Sequence, residues 1–190
     1  MGQYYLSVKL DQTKRIPVAY LSPSDIKFKW TRNDGKVFYM GTGVKLMEHS
    51  WLKNSFVHSI ERLLTPGNDW YKSPIVWAGD YADQEPGAST NIYGMCEEEI
   101  KVKRPKKTLN KKYHYIVNHD KKLYVDKRNV PCVDGWGIHP LPLLTCEGNG
   151  RGGGDYRKDS DLIGSWARNV ISVEDHIPEG YNELIFDLTE

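Results

Sequence analysis

The chain is predicted to be an α+β domain, mainly antiparallel β-sheet with one amphipathic helix, and three observations carry that expectation. Short apolar runs bounded by turn residues fill most of the 190 residues, as in a sheet protein. A single stretch, from Val44 to Leu64, switches to helical spacing. The chain also repeats itself: Tyr4-Tyr5-Leu6-Ser7-Val8-Lys9-Leu10-Asp11 aligns with Tyr113-His114-Tyr115-Ile116-Val117-Asn118-His119-Asp120, and Trp70 to Asp80 aligns with Trp166 to Asp175. Two copies are too few for a solenoid. They predict an internal duplication, with a first β-rich repeat over 1–100, a charged linker over 101–112 and a second repeat over 113–190, the halves facing each other in one compact domain.

The elements follow in order. Residues 3–10 and 14–21 flank Asp11-Gln12-Thr13 as a hairpin, and Pro17 marks the second run as an edge strand or a bulge. A second hairpin joins 26–30 to 36–40 through Asn33-Asp34-Gly35, residues that tolerate positive φ. Met47, Trp51, Val57, Ile60 and Leu64 lie on one face of a helix over about 44–64, which Thr65-Pro66-Gly67 ends. Ile75 to Ala78 is a buried strand, the loop Gly79 to Asp83 follows, and 84–94 reads as irregular. The second half opens with strands at 113–119 and 122–126. A turn-rich stretch covers 135–142, a short strand lies near Leu143 to Cys146, a glycine-rich loop covers 148–154, and strands at 170–173 and 184–188 close the chain.

Composition narrows the function. An apolar content of 39% with 27% charged residues is globular chemistry and excludes a disordered chain. A net charge of +1 argues against bulk nucleic-acid binding, which needs a basic footprint. Charge is uneven, however: Glu97-Glu98-Glu99 precedes Lys101, Lys103, Arg104, Lys106, Lys107, Lys111 and Lys112, a solvated linker or a phosphate-facing arm. Six Trp and twelve Tyr supply core, with the remainder available to stack on bases or sugars. Cys96, Cys132 and Cys146 have no metal or disulfide spacing. With no signal-like start and no apolar run near 18 residues, the expectation is a cytoplasmic protein with reduced thiols and no membrane partner.

Chemistry concentrates around Glu147-Gly148-Asn149-Gly150-Arg151-Gly152-Gly153-Gly154-Asp155. Glycines let backbone N–H groups converge on an anion, and Arg151 adds a bidentate clamp. The spacing Gly148-x-Gly150-x-x-Gly153 matches a dinucleotide fingerprint formally, but no βαβ unit surrounds it, and no Walker loop is present. Glu48, Asp80, Asp83, Glu147, Asp155 and His139 are the candidate acid, base or ligand groups, none at diagnostic spacing. No motif requires a cofactor or a metal. Gly164-Ser165-Trp166 is not a nucleophile elbow, and Cys146 beside Glu147 is poorly placed for a thiolate.

The strings Met1-Gly2-Gln3-Tyr4-Tyr5, Lys45 to Trp51, Ile75 to Asp83 and Glu147 to Tyr156 resemble a family of small phage and bacterial proteins to which no activity is attached. That resemblance implies a phage setting, hence a host-takeover or counter-defence factor in the host cytoplasm, for instance one that sequesters a signalling nucleotide.

Three functions are therefore expected in competition. The first is a non-catalytic binding module for a phosphorylated small molecule or nucleotide. In it, Gly150, Arg151, Gly152, Gly153 and Gly154 hold the phosphate, Trp77 or Tyr81 stacks on the base, and Asp80 and Asp155 accept from hydroxyls or amines. The second is a metal-dependent hydrolase of a nucleotide or glycosidic bond using Asp80, Asp155, Glu48, Glu147 and His139. The third is a protein–protein inhibitor of a host enzyme.

Overall fold

The structure, a computed structural model, describes residues 3–32, 34–99, 112–148 and 160–188. It is α+β. β1 (Tyr5–Leu10) and β2 (Pro17–Leu21) form the first hairpin, and β3 (Lys27–Thr31) and β4 (Val37–Gly41) form the second. The second hairpin stands apart as a two-stranded sheet. Two helices follow, α1 (Leu46–His49) and α2 (Ser55–Leu63), then β5 (Ser73–Gly79) and α3 (Ile92–Glu99). The remaining elements are β6 (Tyr115–Asn118), β7 (Leu123–Asp126), α4 (Pro140–Thr145), β8 (Cys146–Glu147), β9 (Val170–Glu174) and β10 (Asn182–Glu183).

Eight strands make the main sheet, in the order β10-β7-β6-β9-β5-β1-β2, with β8 added parallel to β5. Apart from β10, the order is symmetric about the antiparallel β5–β9 pair. Each hairpin presents its first strand to a long central strand, β1 to β5 and β6 to β9. The aligned sequence segments occupy matching places. Trp70 and Trp166 are both buried, and each donates its backbone N–H to a residue at a helix C-terminus, Leu63 and Leu144 respectively. Two residues later, Lys72 (φ 50°) and Arg168 (φ 62°) both adopt the left-handed conformation just before their strands. The expected face-to-face packing is not what is found. The halves join edge to edge, because the open edges of β5 and β9 satisfy each other's backbone groups.

Each face of the sheet is covered by a helix from one period-2 set of side chains. Phe56, Val57, Ile60 and Leu63 of α2 pack with Tyr5, Ile75, Trp77, Ile116, Ile171 and Val173 on one side. Ile92 and Cys96 of α3 cover Leu6, Val8, Leu10, Val76 and Ala78 on the other. Pro17 does sit in an edge strand beside a register shift, where its missing N–H is harmless.

Several elements differ from expectation. The helix predicted over 44–64 breaks in two, because residues 50–52 use their backbone elsewhere: Leu52 donates to Gly137 O, His139 donates to Ser50 O, and Trp51 bridges Ile138. Asn54 then restarts the helix, its side chain accepting from Phe56 and Val57 N–H. The region around 84–94 read as irregular runs into α3, and the expected strand at 143–146 is mostly α4. Pro140 and Pro142 occupy the first turn of α4, where no N–H is needed. Only residues 182–183 form the closing strand, paired parallel to β7, in place of 184–188. Of the predicted linker over 101–112, only Lys112 is described, and Gly150 to Asp155 lie outside the described residues.

Candidate functional site

A cavity of about 600 Å³ opens at the junction of the two halves. Arg15 and residues 82–86 line it from the first half; Cys146, Glu147, Gly148, Ser160, Asp161 and the 163–168 turn line it from the second. Both described ends of the glycine-rich segment, Gly148 and Ser160, thus border it.

Three local devices build this cavity. The turn after β1 is tied by Asp11, whose carboxylate accepts from Thr13 Oγ1 (2.7 Å) and Ile16 N (3.2 Å), fixing the exposed Arg15 next to it. Asn91 fixes the loop after β5: its Nδ2 donates to Asp80 O (3.0 Å) and Ala82 O (2.9 Å), while its Oδ1 accepts from Gly94 N. The turn before β9 is held by Gly164 N to Leu143 O (2.8 Å) and Arg168 N to Ile75 O (2.8 Å).

At the back of the cavity, Arg168 lies between two carboxylates. Its Nε and Nη2 each donate at 2.6 Å to Glu147, its Nη1 donates to Glu85 at 2.9 Å and its Nη2 makes a second contact to Glu85. Nη1 also donates to Lys14 O at 3.3 Å. These contacts match the donor capacity of a guanidinium, so Arg168 has none to spare for a ligand. The two carboxylates beside it raise its pKa further, Glu85 most. The described walls carry four carboxylates, Asp83, Glu85, Glu147 and Asp161, against two guanidinium groups, Arg15 and Arg168. The Arg15 backbone N–H donates to Asp11 (3.4 Å), but among the described residues its guanidinium makes no hydrogen bond.

The sequence-derived candidates scatter. Glu147 lines the cavity, but as the partner of Arg168. Asp80 and Tyr81 come just before the lining residue Ala82 and do not line the cavity themselves, with the Asp80 carboxylate accepting from Tyr4 N (3.0 Å) and Tyr81 half exposed. Trp77 is fully buried and donates Nε1–H to His49 Nε2 at 2.8 Å, so it offers no face for stacking. Burial holds that His49 ring neutral, its pKa down at about 4. Glu48 caps its own helix, accepting from Val44 and Lys45 N–H. His139 is buried, accepts from Leu141 N at Nδ1 and turns Nε2 toward Glu61 at 3.2 Å. Glu61 is fully buried. Burial alone would raise its pKa, yet the ammonium of Lys127 and the His139 ring hold it at about 2. Gly150, Arg151, Gly152, Gly153, Gly154 and Asp155 lie outside the described residues.

Reading the sequence missed Arg15, Glu85 and Arg168, since nothing in their spacing joins residues brought together only by the sheet. It also missed a chain of polar groups across β6 and β9. His119 Nε2 lies 2.8 Å from Ser172 Oγ, Ser172 donates to Glu174 at 2.7 Å, and Tyr181 sits 3.0 Å from His119 Nδ1. The composition is that of a hydrolase triad, but the serine gives its proton to the carboxylate and is wholly buried. That wiring supports the sheet and does not make a nucleophile.

A second cavity of about 570 Å³ lies beside Trp51 and Trp136, whose rings meet edge to face at 5.4 Å. Asp134 and Gly135, both at positive φ, form the tight turn that leaves Trp136 64% exposed. Among the described residues no cluster of three or more metal-ligating side chains occurs. No helix there is long and apolar enough to cross a membrane. No family model, curated protein or solved structure matches the chain.

Proposed function

We propose that the protein is a non-catalytic binding module for a phosphorylated small molecule or nucleotide, held in the cavity at the junction of two halves that descend from one duplicated unit. One observation carries the reading. Four of the five described candidate acid and base groups already serve the fold, Glu48 as a cap, His139 in a buried pair, Glu147 on Arg168 and Asp80 on a backbone N–H, and the fifth, Asp83, lines the cavity. The cavity meanwhile has polar walls and the size of a ligand cleft. In this reading Arg15 and the glycine-rich segment, which carries Arg151, take the phosphate. Asp83 and Asp161 accept from ribose hydroxyls or base amines. The phage setting and the task of sequestering a signalling nucleotide belong to the same proposal.

Thermal-shift titration against a nucleotide panel tests it. A ligand at a hundredfold over its Kd stabilises the fold by about 2.7 kcal/mol, and the ligand is then recovered chemically intact. Turnover of that ligand favours the hydrolase instead.

The exposed Trp136 and Val133 favour a second reading, docking on a host protein through the aromatic surface. A Trp136→Ser variant that loses a captured partner while keeping the nucleotide shift would select it.

A further inference from the structure

The nucleotide-binding cavity does not end at Arg15. A second depression of about 620 Å³ lies on its other side, and the two share Arg15, Glu85 and Pro86 as a common ridge. Their walls differ in chemistry. The first offers Asp83 and Asp161 to hydroxyls and amines; the second offers Ile16, Met95 and Ala88, with Ile16 57% exposed. Of the two described cations on the ridge and its flank, Arg168 is saturated by Glu85 and Glu147. Arg15 is left to serve a ligand, and it sits between the two depressions instead of at the end of either.

From this placement we infer that the ligand is elongated and carries an internal phosphodiester on Arg15, with one nucleoside-sized group in each depression. The inference rests on the nucleotide-binding reading above and narrows it. Position decides between a diester and a terminal monoester: Arg15 borders both depressions, so a phosphate held on it has room for a group on either side. An end-on phosphate would also leave the Ile16 side of the ridge empty.

The test is isothermal titration of the full chain with common dinucleoside monophosphates and with their parent nucleoside monophosphates. The expected result is that at least one dinucleoside monophosphate binds about tenfold or more tightly than either parent, the scale of one charge-assisted contact plus a second apolar subsite. Arg15→Gln weakens that dinucleotide by about tenfold or more. Ile16→Ser removes its advantage over the parent monophosphates while leaving the parents' affinity in place. Both side chains are exposed, so an unchanged melting temperature without ligand certifies the fold of each variant. Equal affinity for dinucleotides and monophosphates, or indifference to Arg15→Gln, overturns the elongated-ligand inference and leaves the nucleotide module standing. Absence of binding by every member of both sets overturns the two together.

Discussion

Removing the Lys127 ammonium should expose how much of this fold depends on one buried charge. Glu61 sits on α2 with no exposed surface, and its carboxylate is matched by Lys127, 14% exposed, and by the His139 ring. Its pKa stands at about 2 against an ordinary 4.5. At about 1.4 kcal/mol per pH unit, that difference is worth about 3 kcal/mol of stability. Because the folded pKa is depressed, the contribution is complete above pH 4.5 and is lost as pH falls toward 2. In Lys127→Met the sign reverses. Burial now acts without the opposing ammonium, Glu61 is pushed above its unfolded value, and the penalty is present at neutral pH. Urea denaturation at pH 7 should show a loss of about 3–5 kcal/mol, a large part of the 5–15 kcal/mol typical of a domain. The deficit should narrow as pH drops toward 4.5, where the variant's carboxyl takes up a proton. Lys127→Met/Glu61→Leu should recover most of the loss. A deficit under about 1 kcal/mol, or one of equal size at every pH, would refute the assignment of Lys127 as the counter-charge.

Three further outcomes follow from single contacts. Asn54→Ala removes the side chain that accepts from Phe56 and Val57 N–H, and thermal unfolding should register a loss of about 1 kcal/mol with ligand affinity unchanged. Trp77→Phe leaves His49 Nε2 without its donor in a fully buried place, at a cost of about 2 kcal/mol by denaturant titration. Arg168→Lys keeps the charge but cannot span Glu85 and Glu147 together, so it should lose about 2 kcal/mol or more and, under the proposed function, weaken nucleotide binding by displacing the cavity wall.

What the sequence disclosed, and what it hid, follows from the range of the interactions involved. Period-2 runs and Asx-Gly turns are local, so the hairpins at Tyr5–Leu21 and Lys27–Gly41 could be read from neighbouring residues. Pro17 pointed to its edge position for the same reason. The internal repeat located Trp70 and Trp166 in matching places, but it carried no information on whether the halves would stack or join at their edges. That depends on which strand edges remain open once both hairpins have formed. The break at Trp51 was hidden because its cause, backbone bonding to 137–139, is more than eighty residues away. His139 looked like a loop base because a sequence does not show that Nδ1 caps α4 while Nε2 meets Glu61. Arg168 gave no signal at all: its partners are 83 and 21 residues distant.

Arg168 also explains why the cavity lies where it does. The β5–β9 pair is short, joining only Ser73 and Pro74 to Ile171 and Val170. Beyond it the strands diverge, and β8 enters beside Trp77 and Ala78. Closing such a divergence with apolar side chains would extend the core, but the chain places a guanidinium there instead, in a left-handed turn, tied to one carboxylate from each half. A cross-half ion pair of this kind is weaker as a source of stability than packed hydrocarbon. It does fix the relative position of the two rims while keeping the space in front of it polar and open. The matching position in the first half is Lys72, where no such pair of carboxylates is found among the described residues. The asymmetry between the two turns therefore marks the Arg168 side as one shaped around a cavity.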